Sequence, residues 1–369
     1  MSKPWMIYGA YGYTGELVAR EALRRGHRPL LAGRNESKLR AMAERLGLEA
    51  VALDLADAVA LARALDGVSL VFHSAGPFVH TSEPMIRACL SAGVHYLDIT
   101  GEIPVFQRTF EHDAEAKARG IVLLSGAGFD VVPTDCLAAH VARRVPGATT
   151  LDIAFAGLAQ PSGGTAKSTF EGALAGGFLR RGGQLVPTAL GKGGRRVRFA
   201  DRERSVLPIP WGDLETAYRT TGIPNITTYM AVPSRVATVA KTGWAIGAAA
   251  APLARWLLGA GPVRRSIEQR IERTVKGPDD ALRARSRSQI WARASNDAGQ
   301  SAEAWLETLD GYTFTAVAGV RAVERVLASQ VNGALTPALA FGSDFVLDLE
   351  GTSRHDALPA ASSGAVAPN

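Results

Sequence analysis

Gly9-Ala10-Tyr11-Gly12-Tyr13-Thr14-Gly15 follows an apolar run, Trp5-Met6-Ile7-Tyr8, and precedes an amphipathic segment, Glu16 to Arg25. The first reads as a short strand and the second as a helix. Glycines spaced three and three between them omit the side chains that would hold a ligand away from the backbone. The helix start then offers free N–H groups and the positive end of its dipole to a pyrophosphate. The loop predicts a dinucleotide site built from Gly9, Tyr11, Gly12, Tyr13, Thr14 and Gly15.

The following residues choose the dinucleotide. A second strand, Arg28-Pro29-Leu30-Leu31-Ala32, ends at Gly33-Arg34-Asn35-Glu36-Ser37-Lys38. An NAD site commonly carries Asp or Glu about 20 residues past the glycines, on the ribose hydroxyl. Here Arg34 takes that place, with Lys38 one helical turn later. A guanidinium grips a 2′-phosphate through two hydrogen bonds, so NADP(H) is expected rather than NAD.

Strand and helix alternate to about residue 148: helix 37–46, strand 49–53, helix 58–65, strand 69–72, helix 83–92, strand 95–99, helix 105–119 and strand 121–125. Six strands alternating with helices imply a doubly wound parallel sheet, a Rossmann domain over 1–148. The pattern then changes. Leu151–Ala156, Val197–Phe199 and Thr227–Val232 read as strands, and Ser286–Ala294 and Ala302–Leu309 flank the turn Asn296-Asp297-Ala298-Gly299. Such hairpin chemistry predicts a second, mixed α+β and largely antiparallel domain over 149–325, for substrate binding or dimerisation. Within it Arg180–Arg204, rich in Gly and Arg, is expected to be a mobile loop. The chain is expected to return to the first domain over about 326–351, and the small, polar, Pro-rich tail 352–369 to be disordered.

Ligands in open α/β sheets lie at the carboxyl ends of the strands. Asp54 and Leu55 end the third strand, where a polar residue reaches an adenine. Ser74-Ala75-Gly76-Pro77 ends the fourth, with small residues that let a nicotinamide ribose pass. Asp98-Ile99-Thr100-Gly101-Glu102 and Gly126 to Asp135 end the fifth and sixth. Asp130, Glu102 and His73 are the candidates for proton transfer, each with a structural alternative: a cap for the carboxylates, a satisfied strand-end residue for the histidine. Asp135 is expected to cap the helix near Cys136. No Cys/His cluster has metal-ligand spacing, so no metal is expected.

Composition narrows the class. The 369 residues are 47% hydrophobic, enough for two domains. A net charge of +6 on such a length suits anionic ligands and does not by itself call for nucleic acid. Two cysteines, Cys89 and Cys136, fit a reducing cytoplasm, and Met1-Ser2-Lys3-Pro4 running straight into the first strand predicts no secretory leader. The uncharged run Thr242–Ala254, extended to Leu258, is shorter than the roughly 20 residues that span a bilayer. Three readings of 242–258 stand open: a core or interface helix, a lid, and a peripheral membrane contact with Trp244 and Trp256 at the headgroups.

Short-chain dehydrogenases share this type of glycine loop but need a Tyr with a Lys four residues on. Four after Tyr96, Tyr218 and Tyr312 stand Thr100, Gly222 and Ala316, which excludes that chemistry.

At these motifs the chain resembles the saccharopine dehydrogenase-like oxidoreductases, including the bacterial trans-acting enoyl reductases. The resemblance is carried by Gly9–Gly15, Ala32-Gly33-Arg34, Ala75–Phe78, Tyr96–Glu102 and Gly126–Asp135. It continues through Gly163-Gly164-Thr165-Ala166, Asp310-Gly311-Tyr312-Thr313 and Leu335–Ala338. It implies nicotinamide-dependent reduction, without naming saccharopine as substrate. Saccharopine-type chemistry needs cations for several carboxylates, for which Arg180, Arg181, Arg195 and Arg196 are the candidates. The expectation is an NADPH-dependent reductase of an activated C=C bond in an acyl or lipid-like small molecule. Two alternatives are an imine or amino-acid reductase and a non-catalytic NADPH-binding protein of a membrane surface.

Overall fold

A computed structural model describes residues 3–157, 160–189, 192–238 and 261–358. The segment 242–258 and the tail 359–369 lie outside the described residues. Among the described residues no helix is long and apolar enough to cross a membrane.

The first part runs β1 (Met6–Tyr8), α1 (Tyr13–Arg24), β2 (Leu30–Gly33), α2 (Glu36–Leu46), β3 (Ala50–Ala52), α3 (Ala58–Asp66), β4 (Leu70–His73), α4 (Phe78–Ala92), β5 (His95–Asp98), α5 (Ile103–Glu111), α6 (Asp113–Arg119), β6 (Val122–Leu124) and α7 (Val132–Ala142). The apolar runs become strands because helices cover both faces of a parallel sheet; β1, β4 and β6 are buried throughout. Helix starts are set by side-chain caps: Asn35 accepts from the Lys38 N–H and Asp57 from that of Ala60.

The second part runs β7 (Thr150–Ala156), α8 (Gly163–Ala175), β8 (Gly177–Arg181), β9 (Gln184–Thr188), β10 (Arg195–Arg198), β11 (Glu203–Pro208), α9 (Asp213–Thr221), β12 (Asn225–Ala231), α10 (Gly261–Thr274), α11 (Asp280–Arg285), β13 (Arg287–Ser295) and β14 (Ser301–Leu309). The chain closes with α12 (Gly311–Ala328), β15 (Gly333–Ala334), α13 (Pro337–Phe341) and β16 (Ser353–His355).

Two sheets result. The first is parallel, in the order β15-β6-β5-β4-β1-β2-β3. Its strand order reverses between β1 and β4, which puts the ligand crevice at their carboxyl ends. The second is mixed: β7 and β12 run parallel, while β10–β11, β11–β12, β7–β13, β13–β14 and β14–β16 are antiparallel. Helix α7 is apolar on every side because it packs against β7, β13 and β14 as well as α9 and α13. One continuous core therefore joins the sheets, from Ile7 and Phe72 through Cys136 and Leu137 to Phe155 and Ile290.

Three expectations need correction. Arg180–Arg204 is not a loop: its described residues contribute to β8, β9, β10 and β11, which pair in antiparallel register across Gly-rich turns. The return to the first sheet begins well before 326. Helix α12 packs on α1 from Gly311 onward, and its Gly319 sits so close to Phe72 that a Cβ there would meet the ring at 2.6 Å. The following β15 adds a seventh strand beside β6. Finally, the first residues of the tail are ordered: β16 pairs with β14, Arg354 holds Asp344 at 2.7 Å, and Asp356 holds His140 at 2.7 Å.

The four arginines are occupied within the fold. Arg180 is buried, donates to the carbonyls of Leu214 and Gly183, and pairs with Glu215 at 2.7 Å. Arg181 donates to Thr227, Arg195 pairs with Asp152 at 2.9 Å, and Arg196 with Glu203 at 2.6 Å. Removing one partner of a buried pair leaves an uncompensated charge. Arg180→Ala is thus expected to cost about 3–5 kcal/mol, read as a lowered midpoint in urea denaturation; an unchanged midpoint would contradict this placement.

Candidate functional site

The β1–α1 turn is packed to contact at the backbone. A Cβ on Gly15 would stand 2.3 Å from the Gly9 carbonyl oxygen, and one on Gly9 2.8 Å from the Ala75 Cβ. Gly12 precedes α1 without a side-chain cap. The first-turn N–H groups, which have no intrahelical acceptor, therefore face outward unobstructed. These features fit a diphosphate.

The adenosine end is built from β2 and β3. The Tyr11 ring lies against Gly33, where a Cβ would meet it at 2.7 Å, and its hydroxyl accepts the Asn35 N–H at 3.3 Å. Lys38 Nζ stands 5.7 Å from the centre of that ring. Arg34 is exposed and makes no ion pair among the described residues. Asp54 turns its carboxylate back onto the Ala56 N–H at 2.9 Å, and Leu55 is half-buried beside it. Burial pushes the Tyr8 hydroxyl up to about 12, with Arg34 and Asp54 acting on it in opposite directions. Those two side chains thus share the space beyond β1.

Ser74 donates to the carbonyls of Tyr8 and Gly9 and ties the ends of β1 and β4 together. Ala75, Gly76 and Pro77 then lead into α4. Glu102 receives the N–H groups of Phe78 (3.0 Å) and Val79 (2.7 Å) and the hydroxyl of Ser168 (2.9 Å). Its carboxylate is a helix cap and a bridge to α8, which occupies it as a proton-transfer group. His73 has no solvent exposure, and burial pushes its imidazole down to about 3. It is neutral and shut below the crevice, so it is corrected from a proton donor to a member of a buried network. In that network the Tyr96 hydroxyl joins His73 (3.2 Å) and Asp98 (2.9 Å). Asp98 also accepts from Ser125 Oγ and from the Thr100 and Gly126 N–H groups. Burial raises Asp98 to about 6 against those hydrogen bonds. Asp135 is buried inside α7 and accepts from Thr220 and from the Ala338 N–H, so it caps α13 instead of α7.

Asp130 differs from Glu102, Asp98 and Asp135. It is partly exposed, with no hydrogen bond or ion pair among the described residues, and burial alone pushes it up to about 7. Gly101 makes room for it: a Cβ there would come within 3.1 Å of Asp130 Oδ2. The preceding residue, Phe129, is buried in an aromatic cluster of the core, 5.9 Å from Phe314 and 6.3 Å from Phe155, with Phe155 4.6 Å from Trp211.

A closed circuit of contacts surrounds this crevice. The Tyr13 ring meets Tyr312 edge-on at 4.9 Å, and the Tyr312 hydroxyl meets Thr165 Oγ1 at 2.9 Å. Ser168, one turn along α8, reaches Glu102. Gly101 leads to Asp130, and Thr315 on α12 accepts the Phe129 N–H at 3.0 Å. Ser162, Thr165, Ser168, Tyr312 and Thr315 were not among the residues expected from sequence. Their signals are the cap residues Ser162 and Asp310 ahead of two helices, which mark helix starts without saying where those starts point.

Residues 5–124 match the family described as saccharopine dehydrogenase NADP binding domain. The first domain is a saccharopine dehydrogenase-type NADP-binding domain. Among curated relatives, a trans-acting enoyl reductase of Mycobacterium ulcerans is 29% identical over 147 residues, 38% of this chain and 35% of that protein. A probable mitochondrial saccharopine dehydrogenase-like oxidoreductase of Arabidopsis thaliana is 33% identical over 149 residues, 35% of this chain and 32% of that protein. The matched region thus spans about a third of those relatives' length. Saccharopine dehydrogenase (L-Glu forming) of Saccharomyces cerevisiae superposes with a TM-score of 0.65 at 12% identity, covering 96% of this chain and 99% of that one. That likeness shows a shared fold over both sheets.

Two outcomes follow. Arg34→Ala should weaken NADPH binding far more than NADH binding in fluorescence titrations; equal losses would refute the 2′-phosphate role. Asp130 stays protonated in the folded chain to about pH 7 but ionises near its ordinary 3.8 when unfolded. Its stabilising share is complete below the lower value and is lost as pH rises through the upper one. Asp130→Asn should therefore leave Tm unchanged at acid pH and raise it increasingly toward pH 8; a pH-independent difference would contradict the desolvated carboxyl.

Proposed function

We propose that this protein uses NADPH to reduce the activated carbon–carbon double bond of an apolar acyl substrate. The observation that carries the reading is Asp130, a carboxyl that packs against Gly101 without a hydrogen bond or ion pair among the described residues and holds its proton to about 7. A carbon centre needs such a proton donor. The four arginines that would meet a polycarboxylate are already occupied by protein groups. The names of the trans-acting enoyl reductases point the same way.

When bound, NADPH supplies a hydride. The chain's residues do the rest. Gly9, Gly12 and Gly15 admit the diphosphate, Arg34 and Lys38 hold the 2′-phosphate, and Ser74–Pro77 position the nicotinamide ribose. The circuit from Tyr13 to Thr315 excludes water, and Asp130 delivers the proton. The fold shared with yeast saccharopine dehydrogenase favours a second reading, reduction of an imine formed from an amine and a keto acid.

The test is NADPH consumption with trans-2-enoyl thioesters of increasing chain length, against a keto acid mixed with an amine. Turnover of the thioesters alone supports the first reading; turnover of the imine alone sinks it. In the first case kcat should fall as pH rises through about 7 and Asp130 loses its proton. Asp130→Asn should lose that limb and about 10²–10⁴-fold in kcat.

A further inference from the structure

The Tyr312 hydroxyl has the surroundings of a catalytic donor. It stands at the start of α12, where Asp310 accepts the N–H groups of Tyr312 and Thr313 and fixes the turn. The Ser162 N–H donates to the phenol oxygen at 2.6 Å, and Thr165 Oγ1 lies 2.9 Å from it. Thr165 is itself held by Ser162, whose Oγ lies 3.1 Å from the threonine hydroxyl and accepts the Thr165 N–H at 3.2 Å. The Tyr13 ring packs edge-on and fixes the plane of the phenol. Tyr13 has its own hydroxyl committed, donating to the Pro278 carbonyl at 2.5 Å and accepting from Arg283 at 2.6 Å. Tyr312 remains partly exposed on the rim that Tyr13, Thr165 and Thr315 share with the Asp130 loop.

We propose that Tyr312 is a catalytic residue that donates its O–H to the substrate carbonyl oxygen conjugated with the reducible double bond. Ser162 and Thr165 act as positioning residues. The proposal rests on the enoyl reading above. With Thr165 donating, two donors occupy the phenol oxygen, so its own proton points away from both; accepting those bonds also polarises the O–H and strengthens it as a donor. Hydride adds to the β-carbon, the π pair of the double bond moves onto the α-carbon and carbonyl oxygen as an enolate, and Tyr312 keeps its proton while hydrogen-bonding that oxygen. The enolate α-carbon then takes the proton of Asp130, which is replaced from solvent. Tyr312 and Asp130 thereby divide the work: one stabilises developing negative charge, the other neutralises it.

The experiment compares the full-length wild type with Tyr312→Phe, Thr165→Val and Thr165→Ser, using a trans-2-octenoyl thioester. The readouts are kcat across pH, NADPH affinity by fluorescence, and Tm. Loss of one preorganised donor costs about 10²-fold in kcat, so Tyr312→Phe should fall by that factor. It should keep the wild-type NADPH affinity and the limb near pH 7 that belongs to Asp130. Thr165→Val should fall part of the way, and Thr165→Ser should recover. If Tyr312→Phe melts early, the Val and Ser pair decides: equal rates for the two overturn the proposal. A folded Tyr312→Phe enzyme as fast as the wild type also overturns it and leaves the enoyl reading intact. A wild type that does not turn over the thioester sinks both.

Discussion

The Glu102 carboxylate holds two elements at once. One end receives the first N–H groups of α4, and the same group receives the Ser168 hydroxyl from α8. Charge-assisted bonds at a helix N-terminus are the stronger kind, and here they also satisfy donors that the helix cannot satisfy itself. The Ser74–Pro77 loop runs into that helix start, so its path over the crevice is set by this carboxylate. Helix α8, anchored there and at Tyr312, becomes one side of the rim. Every other contact of the circuit, from Tyr13 to Asp130, is made between elements whose separation these two anchors fix.

Below the rim, buried polar groups are joined in one network centred on Asp98, with His73 Nε2 left without a partner among the described residues. Asp98 gathers four donors from the ends of β5 and β6, and Tyr96 links that set to His73 at the end of β4. Such a network positions strand ends rigidly, because each member has one arrangement in which all bonds are made. Asp130 lies outside that network. The contrast between two carboxyls, a buried one enclosed by donors and a partly exposed one with none among the described residues, is the kind of environmental difference that separates structural from proton-transferring roles.

Much of the first sheet was legible because its strands are buried on both faces and read as unbroken apolar runs between amphipathic helices. The position of Arg34 just past β2 was legible because local register sets it. Other features were not. β15 is two residues long, and only its pairing with β6 makes it a strand. The Gly- and Arg-rich stretch hides four strands, since alternation is short there and turn residues dominate the composition. Glu102, His73 and Asp130 look alike at strand ends; what separates them is which donors other parts of the chain bring to each. Tyr312 and Ser162 are far apart in sequence, so no spacing rule could have joined them.

The seventh strand has a consequence for how the protein folds. β15 and α12 complete a sheet whose other strands belong to the first third of the chain. Phe72 and the face of α1 pack against α12, an element far from them in sequence. The first sheet is therefore complete only once elements widely separated along the chain have met, an assembly of high contact order whose apolar faces stay uncovered until that meeting.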